Sequence, residues 1–355
     1  MFESLFRPKG IVVIGSASPG KLGNVLVNRL IQSGYNQVFS VNPKGQGVGK
    51  RPGYTSVQEI PEPVDLAMIA CPVNTVASVM EDCGKGGIKA AIVITSGFRE
   101  SGNQLAEAEV LAVARKYGIR FVGPNCAGML NTHANLYATL EAAPPKGNVA
   151  LLSQSGSIGG IFMSWANEHS LGISKFVSYG NSLDWSVIDY LDYLKDDPET
   201  DVIALYVEQI QNGRQFMHTM KQVTQKKPVV IIKSGKTVAG SRATMSHTGS
   251  MAGEDHVNDA ALKECGAMRV DSVAEMFNLC KALATMPLVK GNKILLVTNS
   301  GGPAIMACDK ACLLYTSWRL CPNWTKPLWC KRCWLRRKNR KLSRSLPLLY
   351  LMTRW

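Results

Sequence analysis

The sequence predicts a doubly wound α/β architecture, and three features carry that prediction. Short apolar runs such as Ile11-Val12-Val13-Ile14 and Val229-Val230-Ile231-Ile232 recur, as expected of strands buried on both faces of a parallel sheet. A helical segment follows nearly every run, and glycines such as Gly34 and Gly118 stand where those helices end. The alternation halts at Ala142-Ala143-Pro144-Pro145-Lys146-Gly147 and then restarts, so two such units are expected in tandem.

Taken in order, strands are expected at 11–14, 37–41, 64–70, 90–94 and 120–122. Helices are expected over 22–33, after Pro72, and over 103–117. The second unit has strands at 148–152, 173–178, 201–208, 229–233 and 267–270, with helices between them and a last helix reaching about 284. Pro287 to Gly291 reads as a second hinge. A strand at 293–297 and a helix after Pro303 begin a third unit, and the pattern stops near Cys312. The predicted domains are 1–130, 145–287 and the start of a truncated unit at 291–312, followed by an aberrant basic tail at 313–355.

That tail resolves the charge. The chain has 355 residues and a net charge of +14, which by itself suggests a nucleic-acid partner. From Leu313 onward there are 11 Lys/Arg, five of the seven tryptophans and no glycine, aspartate or glutamate. Without those residues the net charge is only +3, so no nucleic-acid partner is expected. The abrupt change of composition points to a tail that does not continue the third domain, as after a frameshift or in a chimera; a genuine basic tail is the competing reading. There is no run of 18 apolar residues and no signal-peptide pattern, so neither a membrane span nor export is expected. Ten scattered cysteines suit a reducing cytoplasm.

The stretch Ser246-His247-Thr248-Gly249-Ser250-Met251-Ala252-Gly253 stands between an apolar strand and a helix start. Loops of this kind turn amides and a helix N-terminus toward negative charge. His247 is nucleophilic near neutral pH and is a candidate phosphate carrier. The competing reading is an ordinary polar loop histidine, against which the flanking hydroxyls and glycines weigh. Ser153-Gln154-Ser155-Gly156-Ser157 and Asn299-Ser300-Gly301-Gly302-Pro303 are further Gly/Ser helix starts, and two in one sheet suffice to face one phosphate. Glu208 closes its strand at the end where α/β active sites form, and a carboxylate there can hold an imidazole in its reactive tautomer.

In the first unit, Gly15-x4-Gly20-x2-Gly23 resembles a dinucleotide fingerprint only loosely. After the second strand come Asn42-Pro43-Lys44 and then Lys50-Arg51, where a nicotinamide dinucleotide would want an acid. Those cations suit a phosphorylated ribose, as in NADP or coenzyme A, with a solvated basic loop as the competing reading. Ser234-Gly235-Lys236-Thr237 is not a P-loop, because the required earlier glycine is Val230. Cys330-x2-Cys333 lacks a second pair, and no metal site is expected. Cys126 is open between a reactive thiol and a packing residue.

Five motifs in this order, Val41-Asn42-Pro43-Lys44, Pro61-Glu62-Pro63-Val64-Asp65-Leu66-Ala67, Gly123-Pro124-Asn125-Cys126, Ser153-Gln154-Ser155-Gly156 and Ser246-His247-Thr248-Gly249-Ser250, resemble the α subunit of the nucleoside-diphosphate-forming acyl-CoA synthetases. The chain is most similar to the ADP-forming acetyl-CoA synthetases, over about 5–312. The resemblance implies a Rossmann-type CoA-binding domain followed by flavodoxin-like ligase domains, the last incomplete. It implies that His247 is phosphorylated, that Glu208 is its acidic partner, and that Ser153, Ser155, Gly156, Thr248 and Gly249 bind phosphate. It places coenzyme A on Gly15, Ser16, Ser18, Gly20, Lys21, Gly23, Asn42, Pro43, Lys44, Cys71, Pro72, Val73, Thr95, Ser96, Gly97, Asn125 and Cys126. ADP/ATP and Mg²⁺ belong, by the same resemblance, to an ATP-grasp part absent from this chain, on a β subunit or a fused domain.

The implied reaction interconverts acyl-CoA, ADP and phosphate with acid, CoA and ATP, through an acyl phosphate and a phosphohistidine. Acetate or another small carboxylic acid is the expected substrate, in a cytoplasmic oligomer. The competing functions are a CoA-binding regulatory module of a protein acetyltransferase, a CoA sensor and a NADP-dependent dehydrogenase. The first two leave the histidine loop idle, and the last lacks a recognisable proton-transfer residue.

Overall fold

A computed structural model describes residues 2–242, 254–287, 296–298, 300–314 and 350–351. They fall into two units, Met1–Met286 and Pro287–Trp355. His247, Thr248 and Gly249, Asn299, and the tail from 315 to 349 lie outside the described residues.

In the first unit, β1 (Ile11–Gly15), β2 (Val38–Val41), β3 (Gly53–Tyr54), β4 (Leu66–Ala70), β5 (Ala90–Val93) and β6 (Arg120–Val122) form a wholly parallel sheet. Its order is β3-β2-β1-β4-β5-β6, the Rossmann order. Helices α2 (Leu22–Gln32), α3 (Val76–Lys85) and α4 (Gln104–Tyr117) make the crossovers, and a short α1 (Glu3–Phe6) precedes β1. Caps set these limits. Asn103 accepts from Ala106 N at the start of α4, and Gly118 closes it in the left-handed conformation.

A second sheet has the order β13-β12-β11-β9-β10-β7-β8. Strands β9 (Lys146–Ser153), β10 (Ile173–Ser178), β11 (Val202–Val207), β12 (Val229–Lys233) and β13 (Met268–Arg269) pair in parallel, which is flavodoxin-like order. Helices α5 (Gly156–Glu168), α6 (Val187–Lys195), α7 (Gly213–Thr224), α8 (described over 238–242), α9 (Asp255–Glu264) and α10 (Val273–Thr285) flank it. In the second unit, β14 (Leu296–Val297) pairs antiparallel with β15 (Tyr350–Leu351), and α11 covers Gly301–Leu314.

The expected boundary at 130 needs correction. It cuts through β7 (Gly128–Asn131), which forms an antiparallel hairpin with β8 (Leu136–Thr139) and joins the second sheet along β10. The hairpin covers the edge that β10 would otherwise expose. Its apolar run is too short to announce a strand, and its turn relies on Asn131, which accepts from His133 N, and on Asn135 at φ +52°.

Alternation along β1 explains how the two sheets pack. Ile11 and Val13 join a core with Leu26, Val27 and Leu30 of α2 and with Met129, Leu136, Leu152 and Val177 of the second sheet. Val12 and Ile14 point the other way, into a core with α3 and α4. Helix α2 therefore lies in a core shared by both sheets. The N-terminus seals it: Phe2 stacks on Trp185 at 4.9 Å, Phe6 stacks on Tyr193 at 4.9 Å, and Asn131 Nδ2 donates to Phe6 O.

Behind those rings Lys175 is buried, with Nζ 2.7 Å from Asp197 Oδ2 and 2.8 Å from Glu199 Oε2. Arg7 also pairs with Glu199, and Thr200 Oγ1 donates to Asp197. Burial pushes both carboxyls up, but hydrogen bonds and charge from Lys175 outweigh it and hold them below their ordinary values. Their stabilisation is therefore complete above the unfolded-state range near about pH 4 and is lost as pH falls through the lowered folded-state values. Lys175→Met, which strands the buried Asp197 carboxylate and removes one cation from the half-buried Glu199, is expected to cost about 3–5 kcal/mol at pH 7 and to flatten this acid-side loss. Urea unfolding at pH 7 and pH 3 measures both, and equal stability of the two proteins at pH 7 would contradict the assignment.

Candidate functional site

The strands of the first sheet are parallel, so the loops after β1, β2, β4, β5 and β6 all emerge at one edge. Gly15 ends β1, Ser16, Ser18, Gly20 and Lys21 follow it, and Gly23 lies in the first turn of α2, at the point where strand order reverses between β1 and β4. A Cβ on Gly23 would stand 2.8 Å from Ser16 O, so only glycine lets α2 start this close to the loop. Ser16, Gly20 and Lys21 are exposed there. After β2, Asn42 Oδ1 accepts from Lys44 N and Gln46 N while Nδ2 donates to Gln46 O. The Asn42 amide is thus consumed in building the turn that leaves Pro43 and Lys44 exposed. After β4 come Cys71, Pro72 and Val73; Thr95 Oγ1 from the β5 loop donates to Cys71 O at 2.8 Å. Glu100 Oε1 accepts from Gly97 N and Phe98 N, shaping the turn of Thr95, Ser96 and Gly97.

The β6 loop ends this row. Asn125, at φ +56°, donates its backbone N–H to Thr95 O. Cys126 is buried with Sγ 3.3 Å from Val93 O, and burial pushes its thiol up to about 12. Cys126 is therefore a packing residue and not a reactive thiol at neutral pH.

In the second sheet the order reverses at β9, between β10 and β11. Ser153 ends β9, and its hydroxyl donates to Ser155 O at 2.6 Å. Ser155 caps α5 by accepting from Ile158 N, and Gly156 opens the helix. The free amides and positive dipole end of α5 thus face the switch point. Glu208, directly beyond β11, is buried beside them. Two residues to which the sequence assigned no site role hold it. Gln154 Oε1 accepts from Glu208 N at 2.8 Å and Gln209 N at 3.0 Å, and buried Lys233 donates to Glu208 O at 2.8 Å and Ser234 O at 2.7 Å. The backbone of Glu208 is gripped from the strands on either side, β9 and β12. Burial, then the nearby Arg269 charge, lowers the Lys233 ammonium, while burial and the Glu208 charge raise the Tyr179 and Tyr206 hydroxyls. A lysine closing the apolar run of β12 was the one signal in the sequence for this grip.

The structure therefore brings Ser153, Ser155, Gly156 and Glu208 together. The chain toward His247 leaves β12, whose last residue Lys233 pairs with Val207 beside Glu208. After the residues outside the description, Arg269 of β13 pairs with Asp255 and Asp259 in the first turns of α9.

The two sites meet. Asn181 N donates to Pro124 O, Leu183 N to Gly123 O and Ala127 N to Ser178 Oγ. A Cβ on Gly156 would stand 3.3 Å from Ala127 Cβ. The loop that closes the first row thus touches the opening residue of α5.

Gln154→Leu is expected to lower stability by about 1–3 kcal/mol, because it leaves the Glu208 and Gln209 amides without an acceptor. Urea denaturation at neutral pH checks this, and an unchanged midpoint would mean that Gln154 carries no such role.

Comparison with known proteins agrees with this arrangement. Residues 9–132 match the CoA binding domain family, and residues 146–283 match the succinyl-CoA ligase like flavodoxin domain. The α subunit of acetate–CoA ligase (ADP-forming) II from Pyrococcus furiosus is 42% identical over 313 residues, covering 87% of this chain and 68% of the relative. The 4-hydroxybutyrate–CoA ligase (ADP-forming) of Nitrosopumilus maritimus is 37% identical over 318 residues, covering 86% of this chain and 46% of the relative. A solved acetyl-coenzyme A synthetase 1 from Candidatus Korarchaeum cryptofilum, in complex with phosphate and ADP, superposes with a TM-score of 0.84 at 38% identity, covering 87% of this chain and 68% of that one. With this likeness across both sheets and the site between them, the chain belongs to the ADP-forming acetate–CoA ligases, as a relative of their α subunits.

Proposed function

We propose that this chain carries the CoA-binding and phosphohistidine steps of an acid–CoA ligase that interconverts acyl-CoA, ADP and phosphate with acid, CoA and ATP. Acetate or another small carboxylic acid is the substrate. The observation that carries the reading is the contact between the 123–127 loop and the N-terminus of α5, because it joins an edge suited to CoA to a site suited to phosphate.

Coenzyme A lies along the loops after β1, β2, β4, β5 and β6, with Lys44, Lys50 and Arg51 offering charge to its phosphates. Phosphate sits on the amides of α5 with the hydroxyls of Ser153 and Ser155. Attack of a phosphate oxygen on the thioester carbonyl forms a C–O bond, breaks the C–S bond and releases CoA as thiolate. A neutral His247 nitrogen then attacks the acyl phosphate, forming a P–N bond and releasing the carboxylate. The helix dipole stabilises the phosphoryl oxygens, and Glu208 holds the imidazole tautomer. Thr248 and Gly249 complete the phosphoryl site from the histidine loop. ADP and Mg²⁺ belong to an ATP-grasp part on a β subunit or fused domain, in a cytoplasmic oligomer.

The protein is expected to bind CoA more tightly than NAD by calorimetry, since the β2 end is basic where NAD would want a carboxylate. Lys44→Glu is expected to weaken CoA binding. Tighter binding of NAD would overturn the CoA assignment.

Together with its β subunit and ATP, the chain is expected to acquire an acid-labile, base-stable phosphoryl group on His247. His247→Ala abolishes the label and leaves CoA binding intact. Glu208→Gln slows labelling by about 10- to 100-fold, as expected of an orienting carboxylate. Peptide mapping at neutral pH decides, and a label on Ser246 or Ser250 would overturn the mechanism.

A further inference from the structure

The junction holds a polar network that the reaction scheme above leaves unused. Asn181, on the loop between β10 and α6, is buried and engaged on every side. Its Nδ2 donates to Glu100 Oε2 at 2.6 Å and to Glu107 Oε1 at 2.9 Å, and its Oδ1 accepts from Asn125 Nδ2 at 3.3 Å. Two carboxylates accept only from a nitrogen, so they fix which end of Asn181 is which. The Asn181 oxygen in turn fixes Asn125, whose Oδ1 keeps no partner among the described residues. The guanidinium of Arg99 donates to Asn181 O, and its Nε lies 3.8 Å from Glu107 Oε1, so a cation offsets the paired carboxylates. Glu100 meanwhile holds the Gly97 and Phe98 amides. A single second-domain side chain therefore ties together the loops after β5 and β6.

The sheet order says which end of a ligand these loops meet. The cationic turn follows β2, and β6 is four strand spacings away, about 19 Å. A ligand reaching both is long and extended, with its phosphates at the β2 end. Its other end arrives at Asn125, two residues before Ala127, which lies against the first residue of α5, where a thioester must lie to meet phosphate.

We infer that Asn181 is a positioning residue for the thiol end of coenzyme A: through Glu100 and Asn125 it sets the 95–98 and 123–127 loops, and it turns Asn125 Oδ1 outward to accept from the N–H or S–H at that end. The inference rests on the CoA reading above. In it, a residue outside the CoA-binding sheet controls how the reactive arm of CoA is held, while the nucleotide end is indifferent to it.

The test is calorimetry on the full chain with two probes, CoA and adenosine 3′,5′-bisphosphate, which carries the nucleotide end alone. Asn181→Asp sets a third carboxylate against Glu100 and Glu107. It is expected to lower CoA affinity about tenfold or more, the scale of a lost charge-assisted hydrogen bond, and to change affinity for the bisphosphate by less than about twofold. Asn181→Ser, which removes the amide without adding charge, gives the same pattern more weakly should the first variant fail to fold. Adding Glu107→Gln to Asn181→Asp restores a donor opposite the new carboxylate and recovers CoA affinity. Unchanged CoA affinity in both variants overturns the inference, as does an equal loss for both probes, which would mark a purely structural role. A wild-type chain that binds neither probe overturns the CoA reading itself and this inference with it.

Discussion

The close fit between residues 121–127 and residues 178–185 governs the rest of the architecture. Trp185 N to Phe121 O, Leu183 N to Gly123 O and Asn181 N to Pro124 O form a run of main-chain hydrogen bonds that joins the first sheet to the second domain. Gly180, at φ +50°, makes this approach feasible, since a Cβ there would stand 2.2 Å from Asn125 O. Main-chain bonds of this kind leave little room for rotation between the sheets. In the proposed function, this fit sets the ligand arm on one edge next to the anion on α5, which converts encounter into orientation.

The charged groups buried around this junction make sense in the same terms. Lys175, Lys233, Arg99 and Arg269 each sit among carboxylates or main-chain carbonyls, the two lysines buried and the two arginines partly so. Burying a cation costs more than an apolar side chain of the same size would, so such groups are weak evidence of stability for its own sake. What they have in common is position. Lys175 fastens the N-terminal segment near the shared core, Lys233 fixes the main chain at Glu208, Arg99 fixes Asn181, and Arg269 fixes the start of α9. Each supplies directionality that apolar packing does not.

The two central strand ends show the same logic twice. At β1 the sheet reverses order and a glycine-rich turn feeds α2; at β9 it reverses again and a serine-rich turn feeds α5. The first helix opens on glycines, which let a chain come close to the backbone. The second uses capping hydroxyls, which suit a small anion.

Much of this was legible in the linear chain. Runs such as Val229 to Lys233 read as strands because a parallel strand covered on both faces must be apolar along its whole length. The turns at Gly15 to Gly23 and at Ser153 to Ser157 read as helix-opening turns because their residue types are dictated by backbone geometry close at hand, while the ligands assigned to them came from the family resemblance. The β7–β8 hairpin was hidden, since its stability comes from an edge of β10 some 40 residues later and not from its own composition. Gln154 and Lys233 were hidden for the same reason: a side chain that grips the backbone of Glu208 from 54 or 25 residues away leaves no local pattern. Asn181 makes the case most plainly. Nothing around it in the chain distinguishes it from a polar turn residue, and its role exists only once folding brings Glu100, Glu107 and Asn125 to it. Periodicity and turn chemistry are local properties and can be read along a chain, whereas hydrogen-bond partnership between distant loops is created by the packing of one sheet against the other.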